Sequence, residues 1–188
     1  MLPPGHIAAG YLTAYAVTKL APVPLSPQEV NTLIFAGAFF GFAPDLDAFY
    51  VFFKTRSLKL GSRINHRNFW WHAPLLWLAA ALAVFLAGQA SFVRLLGITL
   101  WLASWSHFLF DTIEGHIRWL WPFTADRHTF RASGHERAEL SLKALEGKAS
   151  NPLRFYWNLV VHHYAGSVTF WFEVALLVAA AAVFLLKA

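Results

Sequence analysis

The chain has 188 residues, 57% hydrophobic and 13% charged, with a mean hydropathy of +0.47; this excludes a soluble domain with a polar shell and points to one integral-membrane domain over residues 1–188. It contains no cysteine, so disulfides and thiolate ligands are excluded, and any metal must be held by His and carboxylate. The net charge of +5 lies in loops between apolar segments, where membrane topology accounts for it without nucleic acid.

The opening Met1-Leu2-Pro3-Pro4-Gly5-His6 lacks the basic region and cleavage site of a signal peptide, so the first apolar segment is expected to be retained. From His6 it runs about fifteen residues, roughly 22 Å as a helix, which is short for a full crossing. The turn Ala21 to Pro24 ends it. Ser26-Pro27-Gln28-Glu29 then has the pattern of a capping box with Pro at the first helical position, and predicts a second helix to about Ala43. Pro44 interrupts that helix and puts Asp45 and Asp47 where a membrane helix ends. Lys54, Arg56, Lys59, Arg63 and Arg67 follow with no acidic residue among them, the mark of a cytoplasmic loop. His66 and Arg67 close this loop. A third apolar segment runs from His72 to about Ala87, and a fourth from about Phe92 to Asp111.

Residues 114–154 form the one long polar stretch, with the character of a lid beside a site. Within it Ser133-Gly134-His135-Glu136 is a second capping box, predicting a short helix closed by Gly147, and Asn151-Pro152 opens another. His128 is expected to be exposed, and His162 and His163 to lie in an interfacial aromatic belt. Val168 to Leu186 is a span carrying one charge, Glu173, which is expected to face other helices and to pair with Arg or His. The predicted architecture is an all-α polytopic membrane bundle of about five apolar helices, with short amphipathic helices in a cytoplasmic loop region.

Ser106-His107-Phe108-Leu109-Phe110-Asp111 ends the fourth segment with a His and an Asp four residues apart. On a helix these side chains share a face and can grip one ion, or simply hydrogen-bond each other. The charge distribution favours the first reading. Loops 54–67 and 114–154 hold twelve of the fifteen Lys and Arg residues, so both are placed on the cytoplasmic side. Threaded from there, the chain brings His6, Asp45, Asp47, His66, His72, His107 and Asp111 to one membrane face. Ionisable groups near lipid are costly when unpaired, so seven at one depth point to a metal centre with Asp111 as its natural bridge. The mixed donor set suggests zinc, with manganese or another divalent metal as alternatives, and more than four ligands implies more than one ion if all bind.

Five pieces of the chain resemble one family of bacterial and archaeal inner-membrane proteins, the membrane-bound metal-dependent hydrolases. They are Gly5-His6 with Gly10; Gly41-Phe42-Ala43-Pro44-Asp45-Leu46-Asp47; His66-Arg67 followed by His72; Ser106-His107 with Asp111; and Trp121-Pro122-Phe123. The resemblance covers about residues 5–123 and implies a hydrolase of no established substrate. The family usually has Thr before and Ser after the second histidine of its HR motif, where this chain has Trp71 and Ala73, so hydroxyls that would orient His72 are missing. A fainter similarity is to the helical zinc-dependent phospholipase C and nuclease fold. There an amino-terminal group, an early His, an Asp, a His, a His-x-x-x-Asp pair and a later His-x-x-x-Glu pair supply a zinc cluster. That similarity implies His135 and Glu139 as additional ligands, although an exposed helical surface pair has the same spacing.

The expected function is hydrolysis of a phosphoester or other ester in the plasma (inner) membrane. A lipid or lipid-linked phosphate is the expected substrate, because the site lies at headgroup depth. Water activated by metal would attack, with Asp111 and Arg67 as the catalytic pair and Arg67 steadying negative charge. The rival from another class is a non-catalytic membrane protein whose metal is structural or carried. A structural site closes every position with protein ligands, and a carrier needs polar groups along a path across the bilayer, which these helices offer sparsely.

Overall fold

A computed structural model describes residues 1–55, 67, 69–131 and 157–187, and these are predominantly helical with no β-strand among them. The helix α1 (Pro3–Leu20) begins with two prolines, whose missing N–H groups cost nothing in a first turn. The expected capping box opens α2 (Pro27–Phe42). Ser26 Oγ accepts from Glu29 N at 3.3 Å, and Glu29 Oε2 accepts from Ser26 N at 2.8 Å. At Ala43–Asp45 the winding tightens to a 3-10 turn around Pro44, and the chain continues into α3 (Leu46–Thr55), a helix that the reading of this region as a loop omits. A second 3-10 turn, Trp70–His72, leads into α4 (Pro74–Ala87), then α5 (Ser91–Glu114). A π-helical turn at Leu159–Tyr164 precedes α6 (Val168–Lys187). The helices expected after Ser133 and Asn151 lie outside the described residues, as do His66, His135 and Glu139.

The expectation of about five spanning helices needs correction. Among the described residues two helices are long and apolar enough to cross a bilayer, Ser91–Ile113 and Val168–Leu186. The reason is length and dilution. Helix α4 is apolar throughout but has 14 residues, about 21 Å against a hydrocarbon core of about 30 Å. Helix α1 has 18 residues but is diluted by Gly, His, Thr and Lys, and α2 has 16 and carries Gln, Glu, Asn, Thr and Gly.

Helix α1 packs on α2, α5 and α6, and α5 also packs on α2 and α4. The α1–α2 contact is backbone on backbone. A methyl group on Gly10 would strike the Gly37 carbonyl and lie 2.9 Å from Gly41 Cα, and one on Gly41 would strike the His6 carbonyl. Small residues spaced four apart let membrane helices approach this closely. Gly41→Ala is therefore expected to cost about 1–3 kcal/mol by overpacking and to move His6. A thermal midpoint in detergent equal to wild type would refute the contact. Below the polar groups of α5, Ala43, Trp77, Ala81, Leu100, Phe108 and Ile117 close an apolar core.

Candidate metal centre

His107 and Asp111 lie one turn apart on α5, fully buried, with His107 Nε2 3.8 Å from Asp111 Oδ2. The segment between α2 and α3 faces them. Because the 3-10 turn changes the hydrogen-bond register, carbonyls at the end of α2 point sideways to other elements. Gly41 O accepts from His107 Nδ1 at 2.8 Å, and Pro44 O lies 3.2 Å from His72 Nδ1. A carbonyl can only accept, so each proton sits on Nδ1 and each Nε2 faces the cluster. The indole of Trp71 adds a third tie, donating to Ala43 O at 3.0 Å. The residue that replaces the resembled family's hydroxyl thus pins the turn, and backbone orients His72.

One ligand atom each from Asp45, His72, His107 and Asp111 falls within 4.8 Å of the others. His6 adds to this group from α1. It is fully buried, its Nε2 lies 3.3 Å from Asp111 Oδ1 and 4.0 Å from Asp45 Oδ2, and neither ring nitrogen makes a hydrogen bond. Its ring stacks on that of His107 with centroids 3.8 Å apart. The two carboxylates consequently divide their oxygens. Asp111 Oδ1 and Asp45 Oδ2 face His6, whereas Asp111 Oδ2 faces His72 and His107 and Asp45 Oδ1 faces His107.

Two protein cations rest on Asp111, one per oxygen. The α-amino group of Met1 is 3.0 Å from Oδ1, and Arg67 Nε donates to Oδ2 at 2.8 Å. Arg67 is the more accessible, with 23% of its side chain exposed, and Gly115 leaves it room: a Cβ there would lie 2.6 Å from Nη1. Asp47 is buried, with Oδ2 3.3 Å from His72 Nδ1, on the side of the ring away from Nε2. It therefore supports a ligand from behind.

Burial opposes charge on His72, but the neighbouring carboxylates of Asp111 and Asp47 outweigh it and raise the pKa to about 9. An ion held at His72 Nε2 would therefore have to displace a proton at neutral pH. Metal affinity is expected to rise about tenfold per pH unit up to about 9 and then level, since one proton leaves per ion bound. Calorimetric titration in detergent from pH 6.5 upward checks this; a flat profile would remove His72 from the ligand set.

Of the residues singled out in the sequence, His6, Asp45, His72, His107 and Asp111 are brought together, with Asp47 and Arg67 against them. His128 is exposed as expected, and His116 is half-buried beyond the end of α5. Among the described residues the partners of Glu173 are not the Arg or His expected. It accepts hydrogen bonds from the backbone of Leu2 and Gly5 and from the Tyr164 hydroxyl. Tyr164 and the Gly41 and Pro44 carbonyls were beyond sequence reasoning, though Gly37-x-x-x-Gly41 is a legible signal for the close helix contact that presents them.

The family model described as YdjM inner membrane protein matches residues 1–188 of this chain. No curated protein and no solved structure matches it. The match spans every residue, so the chain belongs to the YdjM inner membrane protein family. That description names a membrane location and neither a metal nor a reaction, so any metal chemistry rests on the cluster itself.

Proposed function

We propose that this member of the YdjM inner membrane protein family is a metal-dependent hydrolase of phosphoesters, with its site at the cytoplasmic headgroup level and a lipid or lipid-linked phosphate as substrate. The observation that carries this reading is His6, fully buried and without a hydrogen bond at either nitrogen, facing two carboxylates beside the Asp45, His72, His107 and Asp111 group. Leaving such groups unpaired next to lipid costs several kcal/mol, roughly 1–3 for each unsatisfied polar atom. A cation removes that cost.

Asp45, His72, His107 and Asp111 would hold one ion, and His6 with the second oxygen of each Asp would hold another. Imidazole with carboxylate suits zinc, and the carboxylate share leaves manganese as an alternative. Bound divalent ions supply Lewis acidity and water that is nucleophilic near neutral pH. The remaining work belongs to the chain. Arg67 lies half-buried at the rim with its fork of donors, placed to orient a phosphate oxygen by geometry that a lysine would not match. The apolar core beneath the cluster excludes water from its inner side. Helices α1, α2 and α4 would complete a multi-pass bundle around the two long spans by thinning the bilayer locally. The basic loops keep the site on the cytoplasmic side.

A structural ion is the second reading, favoured by one observation: Asp45, His72, His107 and Asp111 alone make a closed set of four. His6 argues against stopping there. Metal content by mass spectrometry on detergent-purified protein decides first, wild type against a His107→Ala, Asp111→Ala double variant that still inserts. Bound zinc or manganese in wild type, lost in the variant, with phosphate released from a panel of lipid phosphates, is the expected result. No ion after reconstitution with either metal would sink the hydrolase.

A further inference from the structure

Among its described residues α6 buries only Thr169 and Glu173, both polar, while its apolar side chains are half-buried or exposed. A carboxylate this far into a spanning helix is costly unless held. What holds it is the start of α1. Gly5 N donates to Glu173 Oε1 at 3.0 Å, Leu2 N donates to Oε2 at 3.2 Å, and the hydroxyl of Tyr164, from the π-helical turn, also donates to Oε2. Leu2 is the N-cap of α1, and no side chain of its own end caps that helix. Glu173 therefore supplies from another helix both the acceptors and the negative charge that an N-terminus favours.

The seat is shaped for this contact. A Cβ at Gly5 would lie 2.6 Å from Glu173 Cγ, so a side chain at position 5 would push the carboxylate away. The next residue is His6. His107 and His72 are oriented in turn by the Gly41 and Pro44 carbonyls, which belong to the end of α2 and the 3-10 turn that follows it.

We propose that Glu173 is a positioning residue: it seats the first turn of α1 so that His6 enters the metal centre, making the placement of His6 dependent on the last membrane helix. The consequence for metal rests on the two-ion reading above; the seating does not. Wild type, Glu173→Ala, His6→Ala and the combined variant are purified in detergent and loaded with Co²⁺. Bound cobalt and its visible spectrum are then compared. Because the chain has no cysteine, Ile7→Cys adds a single spin label on the exposed face of α1.

The expected result is that Glu173→Ala loses one of two cobalt equivalents, shows the His6→Ala spectrum, and is made no worse by adding His6→Ala. The label at position 7 becomes more mobile. A general loosening of the fold would also disturb the signal from the second cobalt, which is expected to stay. Glu173→Ala with wild-type cobalt content, spectrum and label mobility overturns the proposal. If wild type takes up no cobalt, the metal reading falls, and the label still decides the seat: unchanged mobility overturns it, increased mobility supports it. Should Glu173→Ala fail to purify, Glu173→Gln, which keeps the shape but turns one acceptor into a donor, is expected to give the same shifts.

Discussion

Asp111→Ala is expected to reduce bound metal to background and to lower hydrolysis by at least about 100-fold, the loss that removal of an outer-shell partner can already reach. Among the described residues no other meets so many charged or imidazole partners. His6 and the Met1 amino group face one oxygen, and Arg67, His72 and His107 face the other. Without the carboxylate both proposed ion positions would lose a ligand at once, and a guanidinium and an ammonium are left beside three imidazoles. Breaking a buried pair in this way costs about 3–5 kcal/mol of stability. Loss of metal must therefore be separated from loss of fold. Asp111→Asn keeps the shape and one acceptor, and is expected to restore most of the thermal midpoint but not the metal. Hydrolysis by a folded Asp111→Asn protein at the wild-type rate would exclude Asp111 from the site.

Arg67→Ala should separate catalysis from metal binding. Arg67 Nε occupies Asp111 Oδ2, an oxygen that also faces His72 and His107, so the guanidinium competes with an ion for that atom. Removing it is expected to leave metal content at the wild-type level or above. If the guanidinium steadies charge that develops on a phosphate, kcat falls by about 10²–10³ while KM changes little. Arg67→Lys restores charge without the fork, and is expected to recover only part of the rate. A simultaneous loss of metal in Arg67→Ala would recast Arg67 as a structural member of the cluster.

The same residues show how much could be read without coordinates. The capping box at Ser26 and Glu29, the break at Pro44 and the i, i+4 pair His107 and Asp111 are local features, set by bonds between residues three or four apart. Composition and the clustering of Lys and Arg in two loops identified a membrane protein, because transfer into lipid depends on side-chain chemistry and hardly on tertiary contacts. Threading the chain from its two basic loops also put His6, Asp45, His72, His107 and Asp111 on one face, and the structure brings these five side chains together.

Tertiary structure alone decided the rest. Sequence rules cannot measure how closely two helices approach, so the backbone contact at Gly10, Gly37 and Gly41 that brings His6 against His107 appears only in three dimensions. Nor can they divide the oxygens of Asp45 and Asp111 between two sides, or place Asp47 behind His72. Glu173 is the clearest case. Its charge demanded a partner, but the partners are the backbone of Leu2 and Gly5. Every residue but proline carries a main-chain N–H, so nothing in the identity of Leu2 or Gly5 marks it as the one that a buried carboxylate will choose. Composition determined that this chain lives in a membrane, and its sequence that it carries His and Asp side chains able to hold an ion; packing decided which of their atoms meet.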